Sequence, residues 1–248
     1  MLRSLHSIQY PSDLIAVVIV DDGSAAALTR EDLAGVAESF SELRIIRLPE
    51  NQGVARALNS ALTTLLKRED YKYIARLDCG DICVEERFAK QVTYLEAHPD
   101  VWLVGTGVQF KNFDTGKGYT YQHKLEYDDI QREMHFKCSF IHPSVMFRKE
   151  VLQRIGLYPE NFPHCEDYAF FYQITRMGKA INLPDILLVS EISENGVSSQ
   201  NRKLQLLSRL KIISKFGTNP VLKTGGVMRM LLLLLAPFRL VRYLNTLK

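Results

Sequence analysis

Apolar residues in the first hundred positions come in short blocks that alternate between two rhythms. Leu14 to Val20 is a continuous run rich in β-branched residues, the pattern of a strand covered on both faces. Asp21-Asp-Gly-Ser24 breaks that run. Thr29-Arg-Glu-Asp32 then has the form of a capping box opening a helix through about Phe40. Arg44 to Leu48 predicts a second strand, and the loop Pro49-Glu-Asn-Gln-Gly53 leads into a helix with Ala55, Leu58, Leu62 and Leu65 on one face. Tyr71 to Leu77 predicts a third strand, and Phe88, Val92 and Leu95 mark a helix ending near His98-Pro99. Further on, Val101 to Phe110 reads as a strand and Lys111 to Gly118 as a polar loop. Helices are predicted over Glu150 to Ile155 and from His164-Cys-Glu-Asp-Tyr168 onward. This alternation predicts an α/β fold: a mostly parallel sheet with helices on both faces.

Sheets of this kind bind ligands at the carboxyl ends of their strands. Asp21, Asp22, Asn51, Asp78 and Asp81 all fall at or just beyond such ends. The segment Tyr73-Ile-Ala-Arg-Leu-Asp-Cys-Gly-Asp-Ile82 is the most pointed case, a short apolar strand closing in Arg76, Asp78 and Asp81. Carboxylates at a buried strand end are costly unless they bind something. Hard oxygen ligands suit Mg2+ or Mn2+ carrying a diphosphate. A plain polar turn explains either acid alone; five such residues on one sheet edge favour a cleft.

The 248 residues allow one large domain, or one domain with an appendage. A 46% hydrophobic and 24% charged composition is that of an ordinary folded chain, and the net charge of +3 gives nucleic-acid binding no support. The positive excess is uneven, because Asn201 to Lys248 contains Lys and Arg but no Asp or Glu. The four cysteines, Cys79, Cys83, Cys138 and Cys165, lack the second pair or histidine cluster of a structural zinc site. So few cysteines fit free thiols in a reducing compartment. Met1 to Ser7 has no continuous apolar core of a signal peptide, so the expected location is cytoplasmic.

With these residues placed, the chain resembles the family 2 inverting glycosyltransferases of GT-A fold, a Rossmann-like three-layer sandwich. The resemblance is greatest to bacterial enzymes of capsule, exopolysaccharide and lipopolysaccharide synthesis. It is carried by Val18-Ile-Val-Asp-Asp-Gly-Ser24, Asn51-Gln-Gly-Val-Ala-Arg-Ala-Leu-Asn59, Ala75-Arg-Leu-Asp-Cys-Gly-Asp-Ile82 with Glu86-Arg-Phe88 and Gln91, His142-Pro-Ser-Val-Met-Phe147, and Glu166-Asp-Tyr168. It covers roughly residues 1–195; any one motif alone is weak, and the five in order are specific. Residues 196–248 are left as a helical, basic and apolar tail.

The resemblance implies transfer of a sugar from a nucleoside-diphosphate donor, with UDP favoured, to a saccharide or lipid-linked acceptor. Asp22, Asn51, Arg56 and Asp78 are implied on the donor side, and Asp81 with Asp78 as ligands of Mg2+ or Mn2+. Asp167 is implied as the base that takes the acceptor proton, with Glu166 and His142 on the acceptor side. Bland alternatives stand beside these roles: Asp22 capping a turn, Arg56 solvated on its helix, Glu166 and Asp167 as first-turn acids, His142 as a buried structural residue. Two departures from the family pattern follow. Gly80 stands where an aspartate is usual, which moves metal ligation onto Asp81. Met1 to Ile8 reads as the family's first helix, so the strand that normally precedes it is expected to be missing.

Met228 to Arg242 is strongly apolar but punctuated by Arg229, Pro237, Arg239 and Arg242. Its unbroken run is short of the ~20 residues that cross a bilayer. A segment of this kind suits an interfacial helix on anionic lipid at the inner face of the cell membrane, or a helix packed on protein. Rival readings are a truncated, inactive relative that only binds sugar nucleotides, and a receiver-type phosphoacceptor module built on Asp21, Asp22 and Asp78. Receivers are about half this length and give His142 and the Glu166-Asp167 pair no task.

Overall fold

The computed structural model describes residues 1–192 and 201–236. The run from Leu14 forms strand β1 (Ala16–Asp21), which pairs in parallel with β2 (Glu42–Arg47). Helix α1 (Leu2–His6) precedes them, and α2 (Val54–Leu66) follows. Next come β3 (Tyr73–Ala75), β4 (Ile82–Cys83), α3 (Arg87–Ala97), β5 (Val101–Lys111), β6 (Gly118–Tyr121) and α4 (Tyr127–Glu133). The chain continues through β7 (Met146–Arg148), α5 (Glu150–Ile155), α6 (Glu166–Met177), β8 (Lys179–Glu191), α7 (Arg202–Phe216) and α8 (Pro220–Leu235).

The architecture is α/β as expected, but the sheet is more mixed than simple alternation predicts. Its larger part has the order β3-β7-β5-β8-β4, with β6 on β5. Only β5 and β8 run parallel there, while β3/β7, β5/β7, β4/β8 and β5/β6 are antiparallel. For β6 the reason is connection length: it returns onto β5 through a turn, without the helical crossover that a parallel neighbour needs.

β1 and β2 form a separate two-stranded sheet, and no strand covers β1's other edge among the described residues. β1 is accordingly half-buried along Ala16 to Val20, not covered on both faces as its apolar run predicts. The helix expected from Thr29 to Phe40 is also absent. The Thr29–Asp32 box does form, with Thr29 N–H and Oγ1 donating to Asp32 and Asp32 N–H donating back. It serves only a 3-10 turn, Glu31–Leu33, because Ala34 turns extended and Gly35 sits at φ +81.

The main core lies between the large sheet and helices α2, α5, α6 and α7, around Phe147, Tyr168, Phe170 and Ile213. A second cluster lies under α3 and a small third one joins α1 to β1. Helices α7 and α8 are not a loose appendage. Leu206, Ile212, Phe216 and Met230 belong to the main core. The 195/196 boundary, Pro237, Arg239 and Arg242 fall outside the described residues.

Candidate functional site

The turn after β3 is built around Gly80. Asp81 N–H donates to the Asp78 carbonyl at 3.2 Å, and Gly80 takes φ +104 at the third position. That geometry calls for glycine, so an aspartate here would be strained. Helix α1 holds the turn from outside: Ser4 Oγ accepts the Gly80 N–H and Ser7 Oγ the Cys83 N–H, each at 2.9 Å. The turn thereby fixes Asp81 in a nearly closed position, 5% exposed. Burial first, then the neighbouring Asp78 charge, lifts the Asp81 carboxyl to about 6, against the pull of Ser190, the Glu191 amide and Arg87. Its Oδ2 has no hydrogen-bond partner.

An unpartnered buried carboxylate oxygen beside a second carboxylate fits a divalent cation. Among the described residues no group of three His, Cys, Asp or Glu side chains is gathered closely enough to hold one, so its other ligands would come from diphosphate and water. Asp78 is not free for that task alone, because Arg76 Nη2 donates to its Oδ1.

Arg76 links the two halves of the site. Its Nε donates to His142 Nε2 at 3.3 Å, and the same nitrogen lies 2.9 Å from the Tyr158 hydroxyl. Burial and the Arg76 charge hold the His142 ring well below its ordinary pKa, so it is neutral, with Nε2 accepting and the proton on Nδ1. His142 is thus a half-buried connector, packed edge-on to Phe171. Tyr158 is held in turn by α2: Asn59 Nδ2 donates to its carbonyl and Asn59 Oδ1 accepts its N–H, both at 2.9 Å.

Glu166 and Asp167 open α6. The chain enters that helix through His164 at φ 59, the single non-glycine residue with positive φ among the described residues. Such strain concentrates where function over-determines geometry. Burial and then the Glu166 charge raise the Asp167 carboxyl to about 6, although its Oδ1 accepts the Tyr168 N–H at 2.7 Å. Glu166 is also raised by burial, with Arg76 opposing. Arg209 of α7 adds a favourable charge to Asp167.

The remaining candidates are less central. Both Asp22 oxygens are taken, by the Gln52 and Gly53 amides at 2.8 and 2.9 Å. Asp22 therefore ties the β1 turn to the Asn51 loop, and Asn51 stands exposed on that loop. Gly23 completes the interlock: at φ +71, a Cβ there would lie 2.4 Å from the Glu50 backbone. Arg56 points to Glu160 at 2.9 Å in an exposed pair and does not contact Asp78. Asp21 is structural, bonded by Ser24, Leu28 and Arg47, and its pKa drops to about 2 chiefly through the Ser24 hydrogen bonds. Sequence reasoning gave no site role to Arg76, Tyr158, Ser190 or Arg209; Arg76 alone carried a signal, as the one cation in the acidic strand end.

A cleft of about 290 Å³ lies elsewhere, lined by Tyr94, Asp100, Glu126 and Lys179. Lys179 begins β8, whereas Ser190 and Glu191, beside Asp81, end it. In the cleft Lys179 is already paired with Asp100 at 2.7 Å. The chemistry gathers at the carboxylate end instead.

The model of glycosyl transferase family 2 matches residues 1–156. The amylovoran biosynthesis glycosyltransferase AmsE of Erwinia amylovora is 35% identical over 192 residues, covering 75% of this chain and 67% of that protein. An Escherichia coli protein named UDP-Gal:alpha-D-GlcNAc-diphosphoundecaprenol beta-1,3-galactosyltransferase is 23% identical over 199 residues, covering 79% and 69%. Among solved structures, Staphylococcus aureus TarS with UDP superposes at TM-score 0.66 and 17% identity, over 92% of this chain and 66% of its own. The mannosyltransferase PcManGT of Pyrobaculum calidifontis, with GDP-Man and Mn2+, superposes at 0.63 and 22%, over 92% and 63%. These two show that the GT-A fold is shared, and the chain spans just under two thirds of each. The family model covers more than half of the sequence and AmsE is similar across most of it: the chain belongs to glycosyltransferase family 2.

Proposed function

We propose that the chain moves a sugar from a nucleoside-diphosphate donor, UDP-linked by preference, to a saccharide or lipid-linked hydroxyl with inversion, in assembly of a bacterial surface polysaccharide. The observation that carries this reading is Asp167, a carboxyl lifted to about 6 at a strained helix entry beside Glu166. A base of that strength is mostly deprotonated at neutral pH and still accepts a proton readily. The acceptor oxygen forms the new bond to the anomeric carbon as its proton passes to Asp167. The electron pair of the old bond leaves on the donor's phosphate oxygen. Mg2+ or Mn2+ on Asp81, with Asp78, supplies positive charge for that leaving group when bound.

The chain's own residues arrange the rest. Arg76 shares its charge between Asp78 and Glu166, and with burial keeps His142 neutral. Asp22 holds the Asn51 loop as a wall for the nucleoside, with Arg56 near the diphosphate. Names of relatives support the substrate class: AmsE is named for amylovoran biosynthesis, and the Escherichia coli relative for a diphosphoundecaprenol-linked sugar. UDP in TarS and GDP-Man with Mn2+ in PcManGT support a nucleotide donor and a cation.

The test is a donor-hydrolysis screen over UDP- and GDP-sugars with Mg2+ or Mn2+. Asp167→Asn is expected to cost about 10²–10⁴-fold in rate. Unchanged turnover in that variant overturns Asp167 as base. Turnover by Asp81→Ala without added metal removes the cation assignment.

A further inference from the structure

Helix α8 carries apolar residues on both its inner and its outer face, with Lys223, Thr224 and Arg229 as its polar side chains, whereas a surface helix ordinarily has one apolar face. Its inner face is firmly docked. Met230 is fully buried, and Val227, Leu233 and Leu234 pack on the main core. Gly226 crosses the His135 carbonyl so closely that a Cβ would lie 1.9 Å from the oxygen. Arg229 donates to the Phe136 carbonyl at 2.9 Å, and Arg202 of α7 to the Leu233 carbonyl at 2.6 Å.

The outer face has no partner among the described residues. Val221, Met228, Leu231, Leu232 and Leu235 are exposed, Val221 and Leu235 by 80% and 82%. At 100° per residue they fall within an arc of roughly 100°. This stripe begins seven residues earlier than the apolar run suggests, and it lies opposite Gly226. On α7, Leu204 and Leu207 are exposed between Lys203 and Lys211. Arg229 bonds Phe136, Arg202 bonds Leu233 and Arg209 faces Asp167, while Asn201 to Lys248 itself contains no acid.

An apolar stripe with cations and no anions suits a surface that is itself apolar beneath and negative above. A second copy docked symmetrically on this face would set the same cations against themselves. No described helix is long and apolar enough to cross a membrane. From the end of α8 the sequence continues as Pro237-Phe-Arg-Leu-Val-Arg242, with the same mixture of apolar and basic residues. We propose that the outer stripe of α8 is a membrane-docking surface, lying in the headgroup region of an anionic bilayer with Val221, Met228, Leu231, Leu232 and Leu235 inserted.

The same hairpin touches the acceptor side of the site. Ser208 of α7 donates to the Pro163 carbonyl at 2.9 Å, and Arg209 acts on Asp167 and Cys165. Docking through α8 therefore sets the Asp167 side of the domain at the lipid surface. That consequence rests on the transferase reading; the docking surface does not.

The experiment uses the full chain and no sugar nucleotide, so its failure leaves the transferase reading untouched. Binding to vesicles of phosphatidylglycerol and phosphatidylethanolamine is compared with binding to phosphatidylcholine, by sedimentation. Leu232→Gln with Leu235→Gln changes only exposed positions and is expected to keep the melting temperature. Wild type is expected to bind the anionic vesicles, and the double variant to bind about tenfold or more weakly. Deleting residues 225–248 is the poorer variant, since it strips Met230 from the core. No wild-type binding, or equal binding by both proteins, overturns the proposal. A concentration-dependent dimer that the double variant abolishes assigns the stripe to a second copy instead, and overturns it too.

Discussion

Asp81 and Asp167 are both lifted to about 6, and the two lifts have different consequences. A carboxyl whose folded pKa exceeds its unfolded value of ~3.9 costs nothing below that value. The cost grows as pH rises and is complete above the folded pKa. For Asp81, 5% exposed with an unpartnered Oδ2, this amounts to roughly 2–3 kcal/mol above pH 6. Asp81→Asn is expected to stabilise the protein by up to about that much at pH 7.5 and by little at pH 4. Urea denaturation at the two values checks this. Added Mn2+ is expected to raise the melting temperature of wild type at pH 7.5 and not that of Asp81→Asn. For Asp167 the readout is catalytic: kcat/KM is expected to climb with pH up to about 6 and then level, as its carboxyl loses its proton. These acids were legible because they sit at strand and helix ends within ordered motifs. The Arg76–His142–Tyr158 chain was not, because its members lie 66 and 16 residues apart and meet only after folding. Arg56 shows the reverse: its motif placed it on the donor side, yet in the fold it turns to an exposed glutamate.

At the scale of elements, local signals did best where packing agreed with them. The face of α2 read from Leu58, Leu62 and Leu65 is the face that packs on the core. The Thr29–Asp32 box formed as read, but a capping pair cannot carry a helix past Gly35 at φ +81. Strand β1 read as doubly covered because hydrophobicity reports what a segment tolerates, not which neighbours reach it. Glycine positions offer direct tests of how elements meet. Gly226→Leu is expected to push α8 off the His135 backbone, costing about 1–3 kcal/mol or more in urea denaturation. Gly23→Ala is expected to spring the Asp22–Asn51 interlock and weaken UDP binding by calorimetry while the core stays folded. Intact UDP affinity in that variant would separate the loop from the nucleoside.

At the scale of the whole molecule, the α/β class was legible and the strand directions were not, since β4, β6 and β7 are too short to announce their partners. The fold divides into a large sheet and the β1–β2 pair, which share no strand pairing. Amides of β1 and β2 are therefore expected to exchange with solvent faster than those of β5 and β8, measured by native-state hydrogen exchange. Helix α1 bridges this division. It packs with β1 through Leu5, reaches the Asp78–Asp81 turn through Ser4, and its C-cap Ser7 holds Cys83 of β4. Two hydroxyls, one on a five-residue helix and one at its C-cap, thus set how stiffly Asp81 is presented. Mg2+ demands near-ideal octahedral geometry, whereas larger ions forgive distortion. Ser4→Ala, which leaves every candidate ligand in place, is consequently a dial on ion choice: a slackened turn loses Mg2+ support before Mn2+ support. A cation on Asp81 would thus be chosen partly by a helix that never touches it.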